Sequence, residues 1–334
     1  MTYPAADAAH GQLRVRVSHR EVQAEDVVAL TLVPIDEAPD ALPAFDAGAH
    51  IDLHLPNGLV RQYSLCNAPH ERGHYLVAVL REPAGRGGSA CVHEALHAGT
   101  ELHIGRPRNA FALAPCPHTL LLAGGIGLTP LLAMAEQLWA QQQPFELHIC
   151  TRSAARLPFR QRLQAAPWSA HVHLHHDDGP PAQKLDAHTL LSRSPHGTQV
   201  WVCGPAGFIG HVRDRAQALG WPADRVHAEH FAATPGHAVG AQAADGAFTV
   251  EWQPTGQRVA VPPGTSVAQA LEAAGIALAL SCEQGICGSC SVRLVAGEPD
   301  HRDQFYTAAE HADPGHFTPC CSRSHSPLLV LAHH

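Results

Sequence analysis

Ser281-Cys282-Glu283-Gln284-Gly285-Ile286-Cys287-Gly288-Ser289-Cys290 spaces three sulfurs as C-x4-C-x2-C, and Cys320 follows thirty residues further on. That is the ligand spacing of a plant-type [2Fe–2S] cluster. Each iron takes tetrahedral sulfur, so two bridging sulfides and four thiolates must converge from a loop and one distant strand. Gly285, Gly288 and Ser289 are small enough to let the backbone curl and aim its N–H groups at the sulfurs. A zinc site usually pairs two short knuckles, and only one C-x2-C is present. A disulfide knot belongs to exported chains. The opening MTYPAADAAHGQLRV has no basic n-region and no apolar h-region, so a cytoplasmic location is expected.

Around this loop, residues 247–334 open with a hairpin-like pair about Pro254-Thr255-Gly256. A helix from about Ser266 to Ala274 follows, and a strand at Leu328 to Leu331 comes last. The block carries eight acidic residues against the four arginines Arg258, Arg293, Arg302 and Arg323, a sign suited to a basic partner or simply to solvation. Upstream, residues 232–246 are rich in Ala and Gly without apolar periodicity and read as a linker.

Residues 114–231 repeat a strand, a turn and a helix. Thr119-Leu120-Leu121-Leu122-Ala123 is a continuous apolar run, as in a parallel strand buried on both faces. Gly124-Gly125-Ile126-Gly127 turns the chain; Thr129 is placed to cap and Pro130 to start a helix running from Leu131 to about Gln141. The unit recurs at Gln199 to Cys203, then Gly204-Pro205, then a helix to about Leu219. Crossover helices between parallel strands predict an α/β layer fold. Residues 11–113 are strand-rich instead. His50 to Leu55 alternates strictly, which predicts a half-buried strand; Val27 to Val33 and Tyr75 to Leu80 are further apolar runs, punctuated by Pro56-Asn57-Gly58 and Gly85 to Gly88. Short strands between turn signals predict an antiparallel barrel.

Bulk composition agrees with an ordinary globular chain: 334 residues, 45% hydrophobic, 16% charged, net charge −8. The sign argues against a nucleic-acid surface, and no apolar run is long enough to cross a membrane. Of the 27 histidines, His173, His175 and His176 fall in one strand-like run, read as solvent-facing rather than as a metal site.

Three further patterns suit nucleotide chemistry. The glycine turn with Pro130 brings backbone N–H groups to a pyrophosphate, although Pro130 stands where G-x-G-x-x-G has its last glycine; small residues at a close contact explain the turn equally. Cys203-Gly204-Pro205 falls at the same carboxyl edge, where Cys203 reads either as an inert buried thiol or as part of a site. Arg61-Gln62-Tyr63-Ser64-Leu65 offers a cation, a flat ring and a hydroxyl, with Ser64 facing away from Arg61 and Tyr63 unless the strand ends there. Gly85-Arg86-Gly87-Gly88-Ser89 precedes a helix expected at about Ala90 to Leu96, a natural phosphate cradle.

Together these motifs, with Glu298-Pro299-Asp300-His301-Arg302-Asp303 and Cys320-Cys321-Ser322-Arg323, resemble the phthalate dioxygenase reductase family, which includes the vanillate demethylase reductases. The resemblance covers almost the whole chain. It implies an FMN-binding antiparallel β-barrel domain at 11–113, an NAD-binding α/β parallel-sheet domain at 114–231, the linker at 232–246, and a C-terminal β-grasp plant-type ferredoxin domain at 247–334. It implies FMN held by Arg61, Gln62, Tyr63, Ser64, Val79, Leu80, Arg81, Gly87, Gly88, Ser89, Thr129 and Phe231. The nicotinamide cosubstrate falls to Gly124, Gly125, Gly127, Thr129, Pro130, Thr151, Arg152, Cys203, Gly204 and Pro205. Ser64, Thr129, Cys203 and Phe231 are the positioning residues at the reacting rings, and the family register makes Cys320 rather than Cys321 the fourth ligand beside Cys282, Cys287 and Cys290.

The implied activity is hydride transfer from NADH to FMN, then single electrons through the cluster to a Rieske-type non-haem-iron oxygenase. The protein is expected to be a monomer without membrane or nucleic-acid partners. Arg152 and Arg156 leave NADPH open, since either is suited to a 2′-phosphate. Two other readings stand beside this one: a reductase for another acceptor such as a haem monooxygenase, and a non-enzymatic redox carrier or sensor.

Overall fold

A computed structural model describes residues 12–35, 42–231, 245–280, 282–306, 308–312 and 315–334. Most of the expected linker, 232–244, lies outside the described residues, as does Ser281. The chain forms two compact units, residues 1–230 and 231–334.

The first unit begins with six antiparallel strands: β1 (Leu13–Ala24), β2 (Val27–Pro34), β3 (His50–His54), β4 (Val60–Ser64), β5 (Tyr75–Leu80) and β6 (Glu101–Ile104), in the order β4-β3-β6-β1-β2-β5. Alternation drives the pairing: Val15 and Val17 are fully buried while Arg14 and Arg16 face out. Glu25 and Asp26 form the two-residue turn between β1 and β2, with Asp26 at φ 61°. The sheet curls until its edges meet, through the bridge Leu65↔Val77 and the bond from Cys66 N–H to the Leu76 carbonyl. A barrel removes the exposed edges that an open sheet would leave. In β3 the alternation is misleading. His50 and Asp52 are buried, because the segment after β6 covers that face: His50 and Arg108 exchange backbone bonds, and Arg108 pairs with Asp52 at 2.8 Å.

Five parallel strands follow: β7 (Thr119–Gly124), β8 (Phe145–Thr151), β9 (Val172–His176), β10 (Gln199–Cys203) and β11 (Val226–Glu229), ordered β11-β10-β7-β8-β9. Around both sheets run α1 (Gly88–Ala95), α2 (Leu128–Ala140), α3 (Arg160–Ala165), α4 (Ala187–Arg193) and α5 (Ala206–Ala218). One face of the parallel sheet packs on α2, and its core continues into the barrel through Val27, Ala29, Cys66 and Ala78. The other face packs Leu120, Leu122, Val200 and Val202 against α4 and α5.

The second unit holds β12 (Phe248–Trp252), β13 (Gln257–Val261), α6 (Val267–Ala273), β14 (Val292–Ala296), β15 (Pro299–Asp300), α7 (Ala308–Ala312), β16 (His316–Phe317), β17 (Arg323–Ser324) and β18 (Leu328–Ala332). Its main sheet runs β13-β12-β18-β14-β16, with β12 and β18 parallel and the remaining pairs antiparallel. α6 lays Val267, Ala270 and Leu271 into the same core, giving a β-grasp. Its start is legible in sequence: Ser266 and Gln269 form a complete capping box.

Candidate functional site

The parallel sheet sends β8 to one side of β7 and β10 to the other. Such a switch point opens a crevice at the carboxyl ends of the strands. Gly124, Gly125 and Gly127 leave β7 there, and Cys203, Gly204 and Pro205 leave β10. The two turns touch through bare backbone. A Cβ on Gly127 would lie 2.2 Å from the Cys203 carbonyl oxygen, and one on Gly204 would lie 2.8 Å from Gly124 Cα. Close approach therefore accounts for these two glycines without a ligand. Gly125 differs: nothing lies near its would-be Cβ, but its φ of +56° favours glycine.

Thr129 and Pro130 depart from expectation. A 3-10 turn at Gly125–Gly127 runs straight into α2, which starts at Leu128. Thr129 thus sits inside the first turn, its Oγ1 donating to the Ile126 carbonyl at 3.0 Å, and Pro130 follows it. The helix begins early because the proline needs no N–H partner anywhere in the first turn. Likewise α1 starts at Gly88 rather than Ala90, since Gly87 supplies the left-handed entry at φ +81°.

Cys203 is fully buried and, on the neighbouring strand, Glu229 stands opposite it, Oε2 4.0 Å from the sulfur. Burial first, then the Glu229 charge, pushes the Cys203 thiol well above its usual value. Burial pushes the Glu229 carboxyl up to about 8. Both groups are therefore largely protonated at neutral pH. Glu229 escaped the sequence reading although it lies two residues before Phe231; only the β10–β11 register reveals it. Thr151 ends β8 and donates to the Ser153 carbonyl at 2.9 Å, and Arg152 follows, exposed. Arg156 is engaged elsewhere, 2.7 Å from Glu25 and 3.7 Å from Asp26 at the β1–β2 turn.

At the barrel closure the structure gathers the Arg61–Ser64 strand, the Val79–Leu80–Arg81 strand end and the Gly87–Gly88–Ser89 turn. Ser64 is the last residue of β4 and is buried. Tyr63 is half-buried, and its hydroxyl is held above its usual range by that burial. Gln62 Nε2 lies 3.3 Å from His50 Nε2. Gly88 lies flush against Arg61, whose Cγ and Nε would stand 2.6 and 2.7 Å from a Cβ there. Arg61 also reaches the Arg86 carbonyl at 3.5 Å. Ser89 Oγ accepts from Glu82 N–H at 3.0 Å, pinning the turn to the end of β5, and Arg81 pairs with Glu94 on α1. The glycine turn before α2 packs against β5, so barrel mouth and sheet edge adjoin. Glycine cradle, cation and helix start together fit a phosphorylated ligand. Phe231 is 41% exposed and belongs to the second unit.

In that unit the loop cysteines and Cys320 converge. Cys282 and Cys287 are within hydrogen-bonding reach of each other, as are Cys290 and Cys320. Backbone N–H groups of Gln284 and Ser289 point at the sulfurs of Cys282 and Cys287, at 3.3 and 3.5 Å. Gly285 and Gly288 take φ of +69° and +68°; a Cβ would strike the Cys321 sulfur at 2.5 Å in one case and the Phe305 ring at 2.3 Å in the other. Cys321 packs against Gly285 with its thiol in reach of the Cys320 sulfur, and donates to the Thr318 carbonyl at 3.7 Å. Two sulfur pairs with converging N–H donors fit a [2Fe–2S] cluster on Cys282, Cys287, Cys290 and Cys320.

The segment Glu298–Asp303 braces this loop. Asp303 accepts from Thr318 Oγ1 and Tyr306 N–H, each at 2.9 Å, while Gln304 N–H binds the Gly285 carbonyl at 2.8 Å. Arg302 grips Asp245 with two bonds of 3.0 and 2.9 Å. Arg323 is buried, lies 3.3 Å from Asp245 and donates to the Thr265 carbonyl. Asp303 and Phe305 were not foreseen as supports of the cluster; nothing local in sequence marks contacts made across the fold.

Comparison with known proteins agrees with this layout. Residues 250–325 match the family model of the 2Fe-2S iron-sulfur cluster binding domain. The chain is 49% identical over 320 residues to vanillate O-demethylase oxidoreductase of Pseudomonas sp. (strain HR199 / DSM 7063), covering 96% of this chain and 99% of that one. Among solved structures, phthalate dioxygenase reductase, described as a modular structure for electron transfer from pyridine nucleotides to [2Fe–2S], is similar at TM-score 0.73 and 36% identity, over 96% of this chain and 98% of its own. An intact type IV self-sufficient cytochrome P450 monooxygenase gives TM-score 0.84 and 34% identity over 99% of this chain; the chain spans only 43% of that longer protein.

Proposed function

Because the chain belongs to the phthalate dioxygenase reductase family, with the vanillate O-demethylase oxidoreductases, we propose that it is the NADH-dependent reductase component of a Rieske-type aromatic-ring oxygenase or O-demethylase. The observation that carries this reading is one chain holding both a switch-point crevice beside a phosphate cradle and a four-sulfur loop. Bound FMN would supply the conversion between the electron pair of a hydride and the single electrons a [2Fe–2S] centre accepts.

The chain's own residues then position and insulate. Arg61 and the start of α1 at Gly87, Gly88 and Ser89 hold the flavin phosphate, and Gln62, Val79, Leu80 and Arg81 line the same mouth. Tyr63 would offer its ring and Ser64 its hydroxyl to the flavin. Gly124, Gly125, Gly127, Thr129 and Pro130 seat the pyrophosphate, with Thr151 and Arg152 at the next strand end and Gly204 and Pro205 across the crevice. Cys203 and Glu229, both raised above their usual ranges by burial, favour their uncharged forms beside the nicotinamide. Phe231 is assigned to cover the flavin. Engagement of Arg156 with Glu25 and Asp26 leaves only Arg152 of the two candidate cations for a 2′-phosphate, which favours NADH. None of the ten cysteines is in a disulfide, in keeping with a reducing cytoplasm; no described helix is long and apolar enough to cross a membrane.

The match to the self-sufficient monooxygenase supports a second acceptor, a haem monooxygenase. Turnover decides between them. NADH oxidation coupled to product formation with a vanillate- or phthalate-class Rieske oxygenase is expected. Coupling only to a haem monooxygenase would overturn the Rieske assignment.

A further inference from the structure

The face of the parallel sheet that α4 and α5 cover is apolar over β7 and β10 but not over β8 and β9. There Glu146 and His148 share one side of β8, and His173 stands beside His148 in register on β9. His173, His175 and His176 are half-buried rather than solvent-facing: His173 and His175 stack on His148, and His176 bonds Thr151 through Nδ1 at 2.7 Å. The His148 and His173 rings lie 4.5 Å apart and nearly parallel.

In neutral rings, the acceptors around each histidine dictate which nitrogen carries the proton. The Gln183 carbonyl, an acceptor only, takes a bond from His175 Nδ1 at 2.9 Å. In neutral His175 the Nε2 is then bare and accepts from His148 Nδ1 at 3.0 Å. In neutral His148 the Nε2 is consequently bare, 3.3 Å from the Glu146 carboxylate to which a charged ring would donate. A second relay repeats this logic. Thr198 Oγ1 spends its proton on the Pro195 carbonyl at 2.7 Å, so it accepts from His118 Nδ1 at 3.4 Å. His118 Nε2 is thereby bare too, 3.6 Å from the other Glu146 oxygen. His173 Nε2 completes the ring, 3.7 Å from Glu146 Oε2.

Lone pairs turned toward a carboxylate repel unless a cation lies among them, and the Arg193 guanidinium reaches only the Oε2 side of Glu146, from solvent. One proton on one ring answers a single contact, and charging two stacked rings sets like charges together. We propose that Glu146, His148 and His173, with His118 as the fourth donor, form a binding site for a zinc-class divalent cation. The Glu146, His148 and His173 donor atoms all lie within 4.8 Å of one another. A tetrahedral site with bonds of ~2.0–2.1 Å has donor–donor edges of about 3.3 Å, so closing the set requires the stacked His148 and His173 rings to tilt apart and turn their lone pairs onto one ion. Histidine ligands characteristically donate their other N–H to a fixed acceptor, as both relays do. Arg193 is the opposing contact, 3.5 Å from Glu146 Oε2; its side chain is 60% exposed and can swing into solvent. The site begins at the second residue of β8, at the opposite end of the strands from the crevice, so its role is structural or regulatory and independent of the proposed electron path.

The test uses the full-length protein with its cluster in place, monitored by visible absorbance. After removal of loosely held metal, zinc chloride is titrated against a competing chelator and zinc per chain is measured. One tight zinc is expected. His148→Gln and Glu146→Gln should each weaken it more than about tenfold, and Thr198→Val, which frees the His118 tautomer, by about 10–100-fold. His173→Ala, on an edge strand and half-exposed, keeps the fold available for comparison and should also lose tight binding. Absence of a tight site in the wild type, or zinc held equally well by His173→Ala and His148→Gln, would overturn the proposal.

Discussion

Gly288 turns the cysteine loop at φ +68° beneath the Phe305 ring. A methyl group there has neither the backbone freedom nor the space, so Gly288→Ala should cost about 1–3 kcal/mol locally and lower iron content sharply in purified protein. Cys320→Ser should abolish the cluster spectrum, whereas Cys321→Ala should retain it, because the Cys320 sulfur is the one paired with Cys290. The spacing Cys282, Cys287, Cys290 was readable because ligand intervals are local; Cys320 over Cys321 came from the family register, and its pairing with Cys290 is visible only in the fold. Glu229 supports a pH prediction. Its folded carboxyl is raised from 4.5 to about 8, so the native state holds a proton that the unfolded chain releases. Its contribution to stability is complete below roughly pH 4.5 and is lost as pH rises through about 8. Denaturant midpoints should fall across that window, and Glu229→Gln should flatten the decline.

Elements were legible where their signals are short-range. The apolar run Thr119–Ala123 gave a parallel strand, and Ser266 gave a helix start. Elements misread locally were decided by tertiary cover: β3 buries His50 and Asp52 because the chain after β6 folds over them. His173 and His175 of β9 are half-buried because they stack on His148 of the neighbouring strand. At this scale Arg302 is the joint between the brace and the rest of its unit. Its two-bond grip on Asp245 is largely shielded from solvent, so Arg302→Ala should destabilise the second unit by about 3 kcal/mol. Thermal unfolding followed by loss of cluster absorbance measures this.

Across the whole molecule, the first unit carries one continuous core from barrel to parallel sheet. That continuity fixes the barrel mouth beside the sheet edge and cannot be seen in sequence, where the two blocks look separable. The second unit supplies the four sulfurs. The central claim is that reducing equivalents enter at the nicotinamide crevice, pass to the flavin and leave through the cluster. The direct test is anaerobic NADH titration of wild type and Cys290→Ser, followed by visible and EPR spectra. Wild type should show flavin bleaching together with the EPR signal of a reduced [2Fe–2S] cluster, and Cys290→Ser should lose that signal while its flavin is still reduced at the wild-type rate. Loss of flavin reduction in otherwise folded Cys290→Ser, or cluster reduction by NADH in protein stripped of flavin, would contradict the account.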